Sequence, residues 1–497
     1  MRMKGPFASL TAFITGLLIV QIIATVQVYA SNNALYASLD LLRGEGYLLV
    51  PNELVMEKLK RLGPAFFGGL FFTLTLGAGL SFAGLSFAWI WDRLFRRKKV
   101  ILWLSILFWC TGIAAVNKDG VSFFGTLYFA VTPPAVFCLA LSGMDKRKEK
   151  GFPWKEMVPL LPVFILAALW LPRMEGKIFT EIRDNLLLSS PWGIECAEGY
   201  YRYTLYPAYV CKPLDQRQLK TCRIEGFKNR NILLSLEKKL IYHDYLPVSK
   251  SVRPVDLAVS PEGENCLLFD HQGKTIFRFP LDAFMADSGK ILKTVSDRLD
   301  RNKFFRAAIY FSLCLASPLM LYFFLFACVR GFLRLHSGVH FATITASVIC
   351  LVIGLLLLNL STNRSLSGNT IGSLASSAVE ERIRALRHIE MKEEPVERYE
   401  GYRLLAKSPH SAERYWLVRT LALSRSPETY GVLLSLLDDP SPVVQYSAYD
   451  ALKRRAGTGT AGEIEKRIPH VMHWYSQLYA YKALRELGWV QQLPPEH

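Results

Sequence analysis

Tyr415-Trp416-Leu417-Val418-Arg419-Thr420-Leu421 returns as Tyr446-Ser447-Ala448-Tyr449-Asp450-Ala451-Leu452, and again as Leu478-Tyr479-Ala480-Tyr481-Lys482-Ala483-Leu484. The closing leucines are 31 and 32 residues apart. A period of this size marks stacked helix pairs, each too small to bury its own apolar face and completed by its neighbour. Pro and Gly punctuate the helices at Ser408-Pro409, Ser426-Pro427, Asp438-Asp439-Pro440-Ser441-Pro442, Gly457–Gly462 and Pro469. Asp439 and Ser441, just before Val443-Val444, are placed to cap the next helix by accepting from its free N–H groups. Residues 376–389 and 395–407 add an earlier, irregular pair in the position of a cap, and Trp489 with Pro494-Pro495 closes the other end.

The run Leu433-Leu434-Ser435-Leu436-Leu437-Asp438-Asp439-Pro440-Ser441-Pro442-Val443-Val444, followed by Ala448 and Ala451-Leu452, resembles HEAT-like repeats of the phycobilisome-lyase type. Those repeats run as a leucine-rich helix, an Asp-x-x-Pro-x-Val turn and a helix ending Ala-x-x-Ala-Leu. Gln445 departs from the pattern, standing where the family usually has Arg. The resemblance covers about a fifth of the chain and implies protein binding on a helical face rather than lyase activity. The plainer alternative is that the array packs against a neighbouring part of its own chain.

The chain as a whole is too apolar for an ordinary soluble protein: 51% of its 497 residues are hydrophobic, and the excess comes in blocks. About 20 apolar residues are needed to cross a bilayer as a helix. Seven candidates meet or approach that length: Phe7–Ala30, Ala65–Trp91, Val100–Val116, Val121–Gly143, Met157–Pro172, Ala307–Val329 and Val339–Leu360. The fifth carries Pro159, Pro162 and Pro172 and reads equally as a re-entrant segment. The first has the flanking Arg2 and Lys4 of a signal peptide, but its apolar stretch is longer than a signal requires, so an uncleaved anchor is expected. The expected fold class is therefore a polytopic α-helical membrane protein of about seven spans. A small β-rich (α+β) domain at 173–303 and a C-terminal α-solenoid at 361–497 complete it. The membrane part comprises residues 1–172 and a two-span hairpin at 304–360.

The net charge of +17 raises nucleic-acid binding, and its distribution argues against it. Residues 361–497 hold 18 Lys/Arg against 16 Asp/Glu, and residues 173–303 hold 21 against 17. Most of the excess lies in membrane loops, where it sets orientation. Arg93, Arg96, Arg97, Lys98 and Lys99, with Lys146, Arg147, Lys148, Lys150, Lys155, Arg2 and Lys4, define a cytoplasmic face. Seven spans then put both soluble regions outside a cell membrane, and together on one side whichever side that is. Arg298, Arg301, Lys303 and Arg306 at the start of the sixth span run against this orientation.

Four of the nine cysteines, Cys196, Cys211, Cys222 and Cys266, fall in the 173–303 domain, as two disulfides in an oxidising compartment would require. Four unpaired thiols are the alternative. In the same domain Tyr201–Tyr206 reads as a strand, Cys266–Phe269 and Thr275–Phe279 as a hairpin about a turn at His271-Gln272-Gly273, and the tyrosines 200, 201, 203, 206 and 209 as one face of a sheet. No catalytic motif is present: there is no G-x-S-x-G, H-E-x-x-H or phosphate-cradling Gly-rich loop. His336 and His340 share a helix face without a second ligand pair, so neither metal nor cofactor is expected. In the second span Gly69, Thr73, Gly77 and Ser81 form a row of small residues suited to close helix packing, within the bundle or across a homo-oligomer seam. The functional expectation is a membrane-anchored scaffold that holds protein partners through residues 361–497. The alternative is a transporter or membrane-enzyme subunit whose spans bind lipid or an uncharged substrate.

Overall fold

The computed structural model describes residues 6–144, 161–170, 183–248, 254–263, 266–271, 274–334, 338–362, 374–455, 457 and 459–492. The basic run Lys146–Lys155, the ends of the expected fifth span, Gln272-Gly273, His336 and Pro494-Pro495 lie outside the described residues. The chain divides into two compact units. One holds Met1–Val28, Phe66–Asn185 and Arg301–Arg364; the other holds Tyr29–Ala65, Leu186–Asp300 and Ser365–His497.

The first unit is helical. Among the described residues four helices are long and apolar enough to cross a membrane: Ser9–Gly44, Leu62–Leu94, Lys99–Val116 and Phe123–Gly143. Tyr322–Leu333 and Phe341–Leu356 are shorter apolar helices, and Leu161–Trp170 is what is described of the expected fifth span. The first helix runs from Pro6 to Gly44, well past the expected end at Ala30, so its last turns belong to the second unit. Two helical stretches are interrupted by π turns that pack on each other, Thr73–Gly77 and Ser312–Ala316. Phe305 lies against Phe72 and Tyr128, with ring centroids 6.0 and 5.6 Å apart, joining three helices.

The second unit contains one five-stranded sheet, in the order β2-β1-β3-β4-β5. The strands are β1 (Lys220–Ile224), β2 (Tyr245–Pro247), β3 (Leu257–Glu262), β4 (Cys266–His271) and β5 (Lys274–Pro280). β1 is parallel to both its neighbours, and β3, β4 and β5 form an antiparallel meander. The parallel β1–β2 pair requires a crossover, which the helix Arg230–Tyr242 supplies. Asn229 caps that helix, and Leu236, Leu240 and Ile241 are its buried face. Helix Ser288–Leu299 buries Ile291, Leu292 and Val295 in one core with Leu236 and Leu240.

The expected hairpin is present as β4–β5, but the domain is less β-rich than its composition suggests. Tyr201–Tyr203 is not strand: it ends the helix Pro191–Tyr203. Ser190 caps this helix by accepting from the Gly193 N–H, and Pro191 occupies the first turn, where a missing N–H costs nothing. Gly193 is required there, since a Cβ would sit 1.7 Å from the Leu187 carbonyl oxygen.

Candidate functional site: the helical array and what fills its face

Four helices stack in succession along the array: Val379–Met391, Ser411–Leu421, Pro442–Arg455 and Trp474–Glu486. Their starts are 32, 31 and 32 residues apart, so the segment expected to be an irregular cap is a repeat in register with the rest. The short helices Tyr402–Leu405, Pro427–Ser435 and Thr460–Arg467 complete the pairs.

The first three stacking helices begin with the same device. Ser376 Oγ accepts from the Ala378 N–H, and Ser408 Oγ from the His410 N–H, each at 3.1 Å. Asp439 does the same for the Ser441 N–H at 2.9 Å. Arg382 then folds back on the Ser376 carbonyl, Arg414 on that of Ser408, and Gln477 on that of Val471, always six residues upstream. The arginines also reach the next repeat. Arg382 meets Glu413 at 2.6 Å, and Arg414 grips both oxygens of Asp439 at 2.6 and 2.9 Å. Glu413, Arg414 and Asp439 are all buried, where a carboxylate without its arginine would be costly.

Gln445 stands one repeat after Arg414. The third junction offers no carboxylate, because the position equivalent to Asp439 is Val471. An arginine at 445 would therefore have no partner of this kind. Asn52, from the loop that follows the first helix, takes over at this junction. Its Nδ2 donates to the carbonyls of Ile468, Pro469 and Val471 at 3.2, 2.9 and 3.0 Å, and its N–H donates to Gln477 Oε1 at 3.0 Å. Nearby, the Gln491 amide reads Leu48 like a strand partner, accepting from its N–H at 3.2 Å and donating to its carbonyl at 2.8 Å.

A second stretch of the chain covers the stacking helices. Trp416 Nε1 donates to the Leu188 carbonyl at 2.8 Å, and Ser441 Oγ donates to Glu198. Tyr201 stacks on Tyr475 with centroids 4.1 Å apart, and its carbonyl accepts from Trp474 Nε1 at 2.9 Å and from His473 Nε2 at 3.0 Å. The tyrosines expected on a sheet face are thus divided. Tyr201 seals the array, Tyr206 and Tyr209 are buried, and Tyr203 is exposed. His473 Nδ1 accepts from the Tyr475 N–H, so the ring is neutral with its proton on Nε2. Burial holds its pKa down at about 4.

The last stacking helix also meets the sheet. Tyr481 donates to Asp244 Oδ1 at 2.6 Å, and Arg485 pairs with the same carboxylate at 3.1 Å. Asp244 precedes β2, beside Lys220 at the head of β1, which is buried over the Tyr245 ring at 4.5 Å. Burial lowers the Lys220 pKa to about 8. Among the described residues no group of three or more His, Cys, Asp or Glu is arranged to hold a metal.

The two expected disulfides are absent: Cys196, Cys211, Cys222 and Cys266 are all free. Sheet geometry keeps the last two apart. Cys222 lies opposite Leu257 on β3 and Cys266 opposite Glu262, so they are two strands and five residues apart. Two strand spacings alone come to about 10 Å, beyond the roughly 7 Å limit on Cα separation in a disulfide. Cys222 is core, and burial pushes its thiol well above the ordinary range. Cys196 is exposed on the helix Pro191–Tyr203, and Cys211 ends a separate turn.

The small-residue row in the first unit faces the first helix. A Cβ on Gly69 would come within 3.1 Å of Gln21 and Thr25, and one on Gly77 within 2.8 Å of Val20. Thr73 donates to Gln21 Oε1 at 2.7 Å, and Ser81 Oγ lies against Gly16. The chain was compared with protein-family models, curated proteins and solved structures, and none matches.

Proposed function

We propose that the chain is a multi-pass cell-membrane protein that carries an internally rigid HEAT-like array as a scaffold for a protein partner. The observation that carries this reading is the stitching of the array. Its stacking helices are locked by buried arginine–carboxylate contacts, and their face is filled by residues 47–56 and 186–206 of the same chain. A prebuilt surface gives affinity by avoiding the cost of ordering it on binding. With that face occupied, a partner would use the short outer helices, where Leu404 is 76% exposed beside the Arg403–Glu428 pair.

Seven spans fit this reading by parity. Residues 29–65 and 186–300 share one core, so the chain between them must cross the bilayer an even number of times. Leu62–Leu94, Lys99–Val116 and Phe123–Gly143 supply three crossings, and the stretch containing Leu161–Trp170 is the available fourth. Residues 301–364 must likewise cross twice or not at all. The basic loop at 93–99 then argues for a cytoplasmic N-terminus and an extracytoplasmic array. Fusions of green fluorescent protein and of alkaline phosphatase after residues 300 and 497 test this; fluorescence without phosphatase activity at either point would reverse the sides.

The scaffold itself is tested by placing a photo-crosslinking amino acid at Leu404 and at Glu428 in the full chain in its native membrane. A discrete adduct with another protein is expected. Adducts confined to the chain itself would reject the scaffold. The transporter alternative rests on a different feature. Ser81 and Thr132 are buried with hydroxyls that have no hydrogen-bond partner, in a bundle that also holds Gln21 and Gln27. Solute flux in reconstituted vesicles, abolished by Thr132→Val, would favour it.

A further inference from the structure

The rim of the second unit nearest the start of the second apolar helix combines exposed apolar side chains with uncompensated cations. Asn52 bonds to Val471, and His473 bonds to Tyr201. Three chain segments therefore meet at this point, and each displays a large apolar residue within two positions of the junction. These are Leu54 (53% exposed), Met472 (61%) and Tyr203 (55%). Lys58 and Arg202 lie close enough to oppose a charge on His473. Lys60 and Arg61 follow, and the helix Leu62–Leu94 begins at the next residue. The acidic residues here are Glu53, Glu57 and Asp40; Asp40 is paired with Arg43, and Glu57 is engaged by Lys60 at 3.7 Å and by the Tyr36 hydroxyl at 3.0 Å. Among the described residues Lys58, Arg61 and Arg202 have no carboxylate partner. One face thus carries protruding apolar groups, surplus positive charge, and a chain that enters an apolar span one residue later.

We infer that this rim is a seat for anionic phospholipid headgroups of the bilayer that carries the chain. Leu54, Met472 and Tyr203 would enter the headgroup–acyl boundary, and Lys58, Arg61 and Arg202 would meet lipid phosphates. The chemistry is that of interfacial segments in general, where shallow apolar burial and attraction to anionic lipid add together. It also accounts for basic residues before this span on the side where a charge rule would put few. A protein partner fits the rim less well, because the cations stand where the chain passes into lipid.

The inference rests on the membrane reading above, and its test separates the two. The full chain, carrying a photo-crosslinking amino acid at Leu54, Met472 or Trp103, is reconstituted in nanodiscs of phosphatidylglycerol with phosphatidylcholine, and in phosphatidylcholine alone. Trp103 is 68% exposed on the apolar helix Lys99–Val116 and serves as the lipid-facing control. Lipid adducts at 54 and 472 are expected, favouring phosphatidylglycerol. Lys58→Glu with Arg61→Glu should lower that preference at least about fivefold, the effect of losing one surface cation. No lipid adduct at 54 and 472, with adducts at 103, would overturn the seat and leave the spans intact. Equal adducts from both lipids would overturn the anionic preference, and failure at 103 as well would bring down the membrane reading itself.

Discussion

Asn52 shows how much a single side chain can hold when its partners are buried backbone groups of a distant segment. Replacing it with Ala leaves three carbonyls and the Val55 N–H to find substitutes in a buried site, while the backbone bond to Gln477 stays. A loss of about 2–4 kcal/mol is expected, read as a lower midpoint of the second unit in thermal unfolding of the detergent-solubilised chain. Arg414 calls for a paired test. Arg414→Met strands Asp439 without its cation and should cost about 3–5 kcal/mol, whereas Arg414→Met with Asp439→Asn, which removes the stranded charge and keeps an acceptor for the Ser441 N–H, should recover part of it. His473 gives a pH dependence. Its folded pKa, about 4, lies below its ordinary 6.5, so the unfolded chain takes up the proton first. Its contribution is complete above pH 6.5 and is lost as pH falls toward 4, up to about 3 kcal/mol in all. Stability measured between pH 4 and 7 should fall less steeply in His473→Asn than in the parent chain; equal slopes would refute the assignment.

The elements differ in how plainly their residues announce them. The β4–β5 hairpin was legible because Cys266–Phe269 and Thr275–Phe279 are rich in strand formers on either side of a turn. Tyr201–Tyr206 has the same richness in strand formers and is half helix, because strand preference measures the fit of a side chain to its surroundings. Here the surroundings are Tyr475 and Trp474, more than 270 residues away in sequence. The earliest repeat left a signal that could have been read: Ser376 followed by Glu381-Arg382 matches Ser408 followed by Glu413-Arg414 at a 32-residue offset. The docking of Asn52 left none, since a lone Asn in a loop is most often a turn residue. Among the apolar helices, the small-residue row makes a steric prediction. Gly77→Val must displace Val20 and should cost about 1–3 kcal/mol. Gly112→Ala, with nothing within 4 Å, should be silent in the same thermal assay.

For the molecule as a whole, the repeats in the sequence suggest a separable tail, and the packing joins that tail to the other segments of the second unit. Leu39 and Leu42 of the first helix, Ile194 of the Pro191–Tyr203 helix and Leu417 of the array belong to one core. Residues 365–497 produced alone should therefore expose the face that residues 35–59 and 188–206 cover. Self-association in size-exclusion chromatography and binding of a hydrophobic dye are expected, and a monomeric, cooperatively unfolding fragment would contradict this packing.

The bond between Leu48 and Gln491 spans 443 residues, and that separation sets a schedule for biogenesis. Leu48 leaves the ribosome early, and its partner is not yet made. At about 5–20 residues per second, the wait is about 20 to 90 s. Throughout it, Leu35, Leu39 and Leu42 have no finished core to enter, while several apolar helices are still being made. A nascent chain in that condition exposes apolar surface until its last repeat is made, which is when folding intermediates are most prone to aggregate.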